Sequence, residues 1–525
     1  MIISIVDQLF NRLVGSSDKS ALEVGGRIIS YGELIEKALL VASGLVANGA
    51  INETVGLVGQ RKASSYIGLL GIIFAGCSFT PINPKYNDSR IKSMLDGSKI
   101  RYLVGDPTDL SQLDPLLLES IKAQILPEGS SQTSSGLNLI DEQMLASYKV
   151  LPSPRSVSDS DLAYVNYTSG STGLPKGVMI SHNSLQAFLR NMLKIYQLNA
   201  GFRASQTFDL SFDPSVSDIF FTWIAGGTLC VVPEKEMLIP SDFIIREKIT
   251  FWNSVPSIAN FMLKTGNLKP GSFPALTHSM FCGEQFPVDI AKAWRLAAPN
   301  SSIENLYGPT EATIYISRFS YSINDENKSF KNGIVPIGRP FDGHQVALIN
   351  DKSERIDGAE KGEIIFSGPQ LTKGYLNDAD KTADSLVSFD WDTQGRTWYK
   401  TGDLGFFNSN NDLECTGRID NQIKISGRRI EIGEIEAALS KFDKTKGAVV
   451  VPLRDSAEIV SGCAAFVLVE LSREDVSEIR KKSAAFLDSV FFPKKIFFIE
   501  DFPRSQSGKV DRNLLEKSAK KLMGL

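Results

Sequence analysis

The sequence predicts an α/β protein with a β-rich subdomain and a small α+β unit at its C-terminal end. Three observations carry this. First, residues 20–110 alternate short apolar runs with helical patterns. ETVGLVG reads as a strand, SSYIGLLGIIFAG as a buried helix, SFTPINP as the next strand and RIKSMLDGS as a helix. RYLVGD is again a strand. Such alternation argues for a parallel sheet with crossover helices. The pattern recurs over about 181–286, where LQAFLRNMLKIYQL and FIIREKI are helical and SMFCGEQF is strand then turn. Second, the texture changes near 334. HQVALIN, EIIFSG and DLECTGR are short strands separated by Gly, Asn and Asp turns. Third, a compact unit begins near Asp420: IEIGEIEAALSKF (helix), GAVVVPL and CAAFVLVEL (strands), VSEIRKKSAAFL (helix) and KKIFFIED (strand). MIISIVDQLFNRLVG reads as an amphipathic first helix, and the polar segment 127–160 as a surface loop.

Bulk properties narrow the function classes. At 525 residues the chain can hold two or more domains with large cores. Net charge is −4 with no long basic run, which argues against nucleic acid or an anionic membrane as the main partner. No apolar stretch approaches the length of a membrane span, and the N-terminus lacks the features of a signal peptide. The five cysteines (Cys77, Cys230, Cys282, Cys415 and Cys463) are scattered, without metal-ligand spacing. With only His182, His278 and His344 beside them, a zinc site is not expected, and a reducing, cytoplasmic setting is.

The segment richest in chemistry is YTSGSTGLPKGVMISH, Tyr167 to His182. Gly170, Gly173 and Gly177 permit tight turns that aim successive backbone N–H groups at one anion. Thr168, Ser169, Ser171 and Thr172 add hydroxyl donors, and Lys176 adds a positive charge. This is a phosphate cradle. It is not a Walker loop, because Pro175 stands where that motif needs Gly and Gly177 where it needs Ser or Thr.

Further motifs follow in order: FDPSVSD (212–218), NLYGPTEAT (305–313), YKTGDLG (399–405), GRIDNQIKISGRRIEIGEIE (417–436) and RSQSGKVDR (504–512). With the glycine-rich loop these resemble the adenylate-forming (ANL) superfamily of acyl-CoA ligases, luciferases and amino-acid adenylation domains. The likeness runs from ISYGEL near residue 30 to the end. It is greatest to stand-alone amino-acid adenylation enzymes of the nonribosomal-peptide and D-alanine–carrier-protein ligase type. The resemblance implies a multi-layer N-terminal adenylation core over 1–418, its β-rich subdomain at about 334–418, and a small mobile lid over 419–525. It implies that a carboxylate attacks the α-phosphate of ATP to give an acyl-adenylate, and that a phosphopantetheine thiol then displaces AMP.

The resemblance also assigns roles. Thr168, Ser169, Gly170, Ser171, Thr172, Gly173 and Lys176 would hold the ATP phosphates, with Thr310 nearby. Glu311 would bind Mg²⁺, a hard ion that prefers oxygen ligands. Tyr307 would face the adenine and Asn305 its edge. Asp403 would accept the ribose hydroxyls, and Arg418 would contact the ribose or phosphate side. Lys509 would bridge the substrate carboxylate and the α-phosphate as the catalytic cation. Asp420 would be the hinge of the lid.

Asp213 would pair with the α-ammonium of an amino-acid substrate; the alternative is a cap on the next helix. The other pocket walls would be Pro214, Ser217, Asn253, Met280, Cys282, Leu306, Ile314 and Tyr315. None of these eight is charged, so a neutral, small to medium amino acid is expected, with alanine, serine and proline all open. With no condensation motif and no carrier segment after Lys509, the acyl or peptidyl carrier is expected to be a separate protein. The expected activity is therefore an AMP-forming amino acid–[carrier protein] ligase. The alternatives are a D-alanine–carrier-protein ligase for cell-envelope modification and an acid–CoA ligase.

Overall fold

The computed structural model describes residues 4–130, 138–168, 175–326, 328, 330–420, 422–425, 427–442, 445, 447–454, 460–468, 471–483, 487–504 and 510–524. Among these, two large sheets dominate the N-terminal region. One contains Thr54–Val58, Ser78–Ile82 and Tyr102–Gly105 as parallel neighbours and ends in the antiparallel hairpin Leu162–Thr168/Lys176–Ser181. The other runs in parallel through Arg203–Gln206, Phe251–Ser254, His278–Cys282 and Ser302–Tyr307. A single hydrophobic core takes in Leu22, Leu229 and Phe251 from the second sheet and Val55, Phe79 and Tyr102 from the first. Between them it includes the helices Tyr31–Ala47, Ala63–Phe74, His182–Ile195 and Pro214–Ala225.

Local chemistry explains these elements. Ser30 caps the helix Tyr31–Ala47 by accepting from the Glu33 amide at 3.1 Å, which accounts for the ISYGEL motif. Ser181 caps the helix His182–Ile195 in the same way, through the Ser184 amide. Nearly every side chain of Ala63–Phe74 is buried, as its all-round hydrophobicity requires. Its Gly71 lets it cross Tyr31–Ala47 closely, since a Cβ there would lie 2.6 Å from Val41 and 2.9 Å from the Ala38 carbonyl.

The β-rich subdomain is a mostly antiparallel sheet built on Gln345–Ile349, Gly362–Ser367, Trp398–Phe407 and Leu413–Arg418. The C-terminal unit holds the hairpin Gln422–Ile425/Arg428–Glu431, the helix Ile432–Ser440 and a sheet of Ala448–Arg454, Val460–Val467 and Lys495–Phe498. This agrees with the predicted α/β class and α+β end. One reading needs correction. Segment 127–160 is not all loop, because Leu139–Ile140 extends the first sheet beside Ala123–Ile125. The motif YKTGDLG forms part of the ten-residue strand Trp398–Phe407. No helix among the described residues is long and apolar enough to cross a membrane.

Candidate active site

A cleft of about 1060 Å³ lies between the N-terminal region and the C-terminal unit. Thr168, Asp213, Pro214, Thr310, Ile314, Tyr315, Asp403 and Arg418 line it, as do Lys424, Arg428 and Arg429 from the other side. A second cavity of about 440 Å³ adjoins it and shares Asp403, Arg418 and Lys424. Asn305, Leu306, Tyr307 and Asp420 line this second cavity.

The flanks of the phosphate-cradle motif are paired antiparallel strands, with Thr168 opposite Lys176. The two flanks therefore stand opposite each other at its mouth. Ser169, Gly170, Ser171, Thr172 and Gly173 lie outside the described residues. Burial, together with the neighbouring Lys381, pulls the Lys176 ammonium below its usual value.

Asp403 is buried and held on both oxygens. The Tyr307 hydroxyl donates to Oδ2, and Arg418 Nη1 donates to Oδ1. Arg418 also grips Asp420 with two bonds, Nε to Oδ1 at 2.6 Å and Nη2 to Oδ2 at 2.7 Å. One guanidinium thus joins the residue expected at the ribose to the residue expected at the hinge. Asn305 spends both amide hydrogens on backbone, donating to the carbonyls of Val335 and Pro336 at 3.0 and 2.9 Å. Any base-edge contact from Asn305 falls to its Oδ1.

Glu311 is 1% exposed. Tyr375 donates to its Oε1 at 2.7 Å, and Arg429 stands 3.5 Å from Oε2, which accepts no hydrogen bond among the described residues. Burial works to raise its pKa, but Arg429 and the hydroxyls of Tyr375 and Tyr399 outweigh it and hold the carboxyl below its usual range. One carboxylate oxygen is oriented by Tyr375 and the other faces Arg429 without a hydrogen bond among the described residues; an ionised carboxylate is the donor type that a hard cation such as Mg²⁺ takes.

Asp213 ends the loop before the helix Pro214–Ala225 and makes no side-chain capping bond, so the capping alternative does not describe it. It is 8% exposed, and Oδ2 has no hydrogen-bond partner among the described residues. Burial pushes the carboxyl up to about 7; the Thr310 hydroxyl and Lys424 oppose this, and Glu311 adds to it. A buried acid with an open oxygen is suited to receive a cationic group.

The pocket walls expected from sequence divide. Pro214, Ile314 and Tyr315 line the cleft, and Leu306 lines the second cavity. Ser217, Asn253, Met280 and Cys282 are buried behind them and line neither. Sequence reasoning missed Asp218, whose Oδ1 accepts from Asn253 Nδ2 at 2.7 Å. It lies four residues past Pro214 on the same helix face, and that periodicity was the available signal. It also missed Gln370 and Glu284. The Gly427 amide donates to Glu284 at 2.8 Å, which seats the GRRIE turn against the N-terminal region. Lys509 lies outside the described residues, in the segment between the paired Arg504 and Val510.

Comparison with known proteins decides the family. Residues 9–376 match the AMP-binding enzyme family, and residues 434–509 match the AMP-binding enzyme C-terminal domain. The chain belongs to the AMP-binding enzyme family. It is 31% identical over 517 residues to gramicidin S synthase 2 of Aneurinibacillus migulanus, covering 97% of this chain and 11% of that protein. It is 32% identical over 516 residues to tyrocidine synthase 3 of Brevibacillus parabrevis, covering 97% of this chain and 8% of that protein. The chain thus spans about a tenth of the length of these relatives. Among solved structures, the adenylation domain AlmE of Vibrio cholerae, in complex with glycyl-adenosine-5'-phosphate, superposes with a TM-score of 0.87. It is 29% identical, with 99% of this chain and 98% of that one covered. IdnL7 is also 29% identical, with a TM-score of 0.74 and 99% of each chain covered. Its relatives gramicidin S synthase 2 and tyrocidine synthase 3 are thus peptide synthases, and AlmE, an adenylation domain, matches it along nearly its whole length.

Proposed function

We propose that this enzyme activates a neutral amino acid with ATP as the aminoacyl-AMP and passes it to the phosphopantetheine thiol of a separate carrier protein. Asp213 carries the reading. An enzyme for fatty or aryl acids gains nothing from a buried carboxylate with an open oxygen on its acid-binding wall, whereas an α-ammonium satisfies it. The adenylation domain AlmE is in complex with glycyl-adenosine-5'-phosphate, whose glycyl group belongs to the neutral class proposed here.

In this reading Thr168 and Lys176 flank the triphosphate, and Asp403 takes the ribose with its oxygens aligned by Tyr307 and Arg418. Glu311 would hold Mg²⁺, which would supply charge neutralisation at the phosphates. In-line attack at phosphorus depends on positioning and neutralisation more than on covalent help, and Lys509 would provide the cation at the reacting carboxylate. ATP–pyrophosphate exchange across a panel of amino acids tests the reading; exchange with none would reject it.

The ionisation of Asp213 sets a pH signature. A carboxyl raised to about 7 is ionised above that pH and neutral below it. Only the ionised form pairs with ammonium. The kcat/KM for the amino acid should therefore fall about tenfold per pH unit on the acid side of 7 and level off above. The same profile in Asp213→Asn should lose that limb.

The hinge assignment of Asp420 gives a second test. Asp420→Pro should damage thioester formation more than adenylation, because it stiffens the backbone between the two regions. The same change also frees Arg418, so Asp420→Ala serves as the comparison. A thioester defect no larger in the proline variant than in the alanine variant would count against a hinge.

A further inference from the structure

We propose that Tyr315 forms the floor of the acid pocket and restricts the substrate side chain to the size of glycine, alanine or serine, with Asp218 acting through Asn253 to hold Tyr315 in place. This rests on the amino-acid reading above and adds a size limit and a positioning residue to it.

Asp213, Pro214, Ile314 and Tyr315 line the cleft. Ser217, Asn253, Met280 and Cys282 do not line it and are at most 1% exposed. Tyr315 faces the cleft and holds on to two of them. Its hydroxyl receives Asn253 Nδ2 at 3.1 Å and lies 3.3 Å from Cys282 Sγ. The second hydrogen of the same amide goes to Asp218 Oδ1 at 2.7 Å. Phe188 packs edge-on against the ring at 5.9 Å.

The backbone is fixed as firmly as the hydroxyl. Thr313 and Ile314 adopt φ of 55° and 73°, a left-handed pair of non-glycine residues that persists only where its surroundings enforce it. The enforcing group is Gln370, fully buried. Its Nε2 faces the carbonyls of Ala312, Thr313 and Tyr315 at 3.2, 3.3 and 2.7 Å. Gly308 permits the turn, since a Cβ there would lie 2.5 Å from the Ile314 carbonyl oxygen. The ring therefore cannot swing aside for a larger side chain without breaking several buried bonds.

Asp218 is 5% exposed, and burial pushes its carboxyl well above the usual range; its Oδ1 accepts from Asn253 and so fixes that amide. An asparagine in its place keeps the shape and an acceptor for Asn253. An alanine does not.

The test is pyrophosphate exchange by the full chain with glycine, alanine, serine, valine, leucine and phenylalanine. It is paired with calorimetric Kd values for glycyl- and leucyl-sulfamoyladenosine. The small amino acids should exceed leucine and phenylalanine in kcat/KM by at least about 100-fold. Tyr315→Ala should move the leucine-to-glycine ratio, in kcat/KM and in Kd, by at least about 100-fold toward leucine. Asp218→Ala and Tyr315→Phe should move it by about tenfold, and Asp218→Asn should restore it. If Tyr315→Ala does not fold, Tyr315→Phe and the Asp218 pair decide by the same ratios. A wild-type preference for leucine or phenylalanine, or an unchanged ratio in the Tyr315 and Asp218→Ala variants, overturns the size limit while leaving amino-acid activation standing. Exchange with no amino acid overturns both.

Discussion

Asp213→Ala should lower kcat/KM for amino-acid-dependent pyrophosphate exchange by roughly 10²–10³-fold without weakening the fold. Breaking one side of a buried ion pair leaves the other charge desolvated and alone, at about 3–5 kcal/mol. In the variant that burden falls on the α-ammonium of the bound substrate, so the loss should sit mainly in KM and in the affinity for the amino acid. The structure adds a second expectation. In the free enzyme Asp213 Oδ2 has no hydrogen-bond partner among the described residues, and burial disfavours the ionised carboxyl. Removing it should leave the thermal midpoint unchanged or higher, as at sites where function is held at the expense of stability. A large activity loss accompanied by a lowered midpoint would instead mark Asp213 as structural.

Lys509→Ala should nearly abolish exchange, by about 10³-fold or more, while sparing thioester formation from supplied adenylate. A cation placed where charge builds on the attacking carboxylate and the phosphate is worth about 3–4 kcal/mol or more in a water-poor site. It has no part in the second step, where AMP leaves. Near-normal exchange would refute the role. Arg429 faces Glu311 at 3.5 Å, and the Gly427 amide is bonded to Glu284, so the GRRIE turn is seated against the N-terminal region. In the proposed cycle the lid presents Lys509 to the phosphates for activation and this turn to the thiol for transfer.

Much of this was legible in the sequence, for identifiable reasons. Alternating apolar runs placed the parallel strands, because each buried strand and each crossover helix leaves its own period. Ordered motifs placed Thr168, Asp213, Glu311, Asp403 and Arg418 in one cleft region, and the structure brings Thr168, Asp213, Asp403 and Arg418 to its walls. What sequence could not supply was depth. Asn253, Cys282 and Tyr315 come from three separate segments, and only the fold shows that one hydroxyl meets the other two. Gln370 was invisible for the same reason: a glutamine in a β-rich stretch carries no local sign that it will clamp a strained turn more than fifty residues earlier. Leu139–Ile140 was missed because two residues are too short to show a period.

The most direct test compares an amino acid with its deaminated counterpart, alanine against propionate, in wild type and in Asp213→Ala. Pyrophosphate exchange should favour alanine by at least about 100-fold in wild type, and the variant should lose most of that preference. Propionate exchanging as well as alanine in wild type, or a preference that survives the loss of Asp213, would contradict the pairing of this carboxylate with the substrate ammonium.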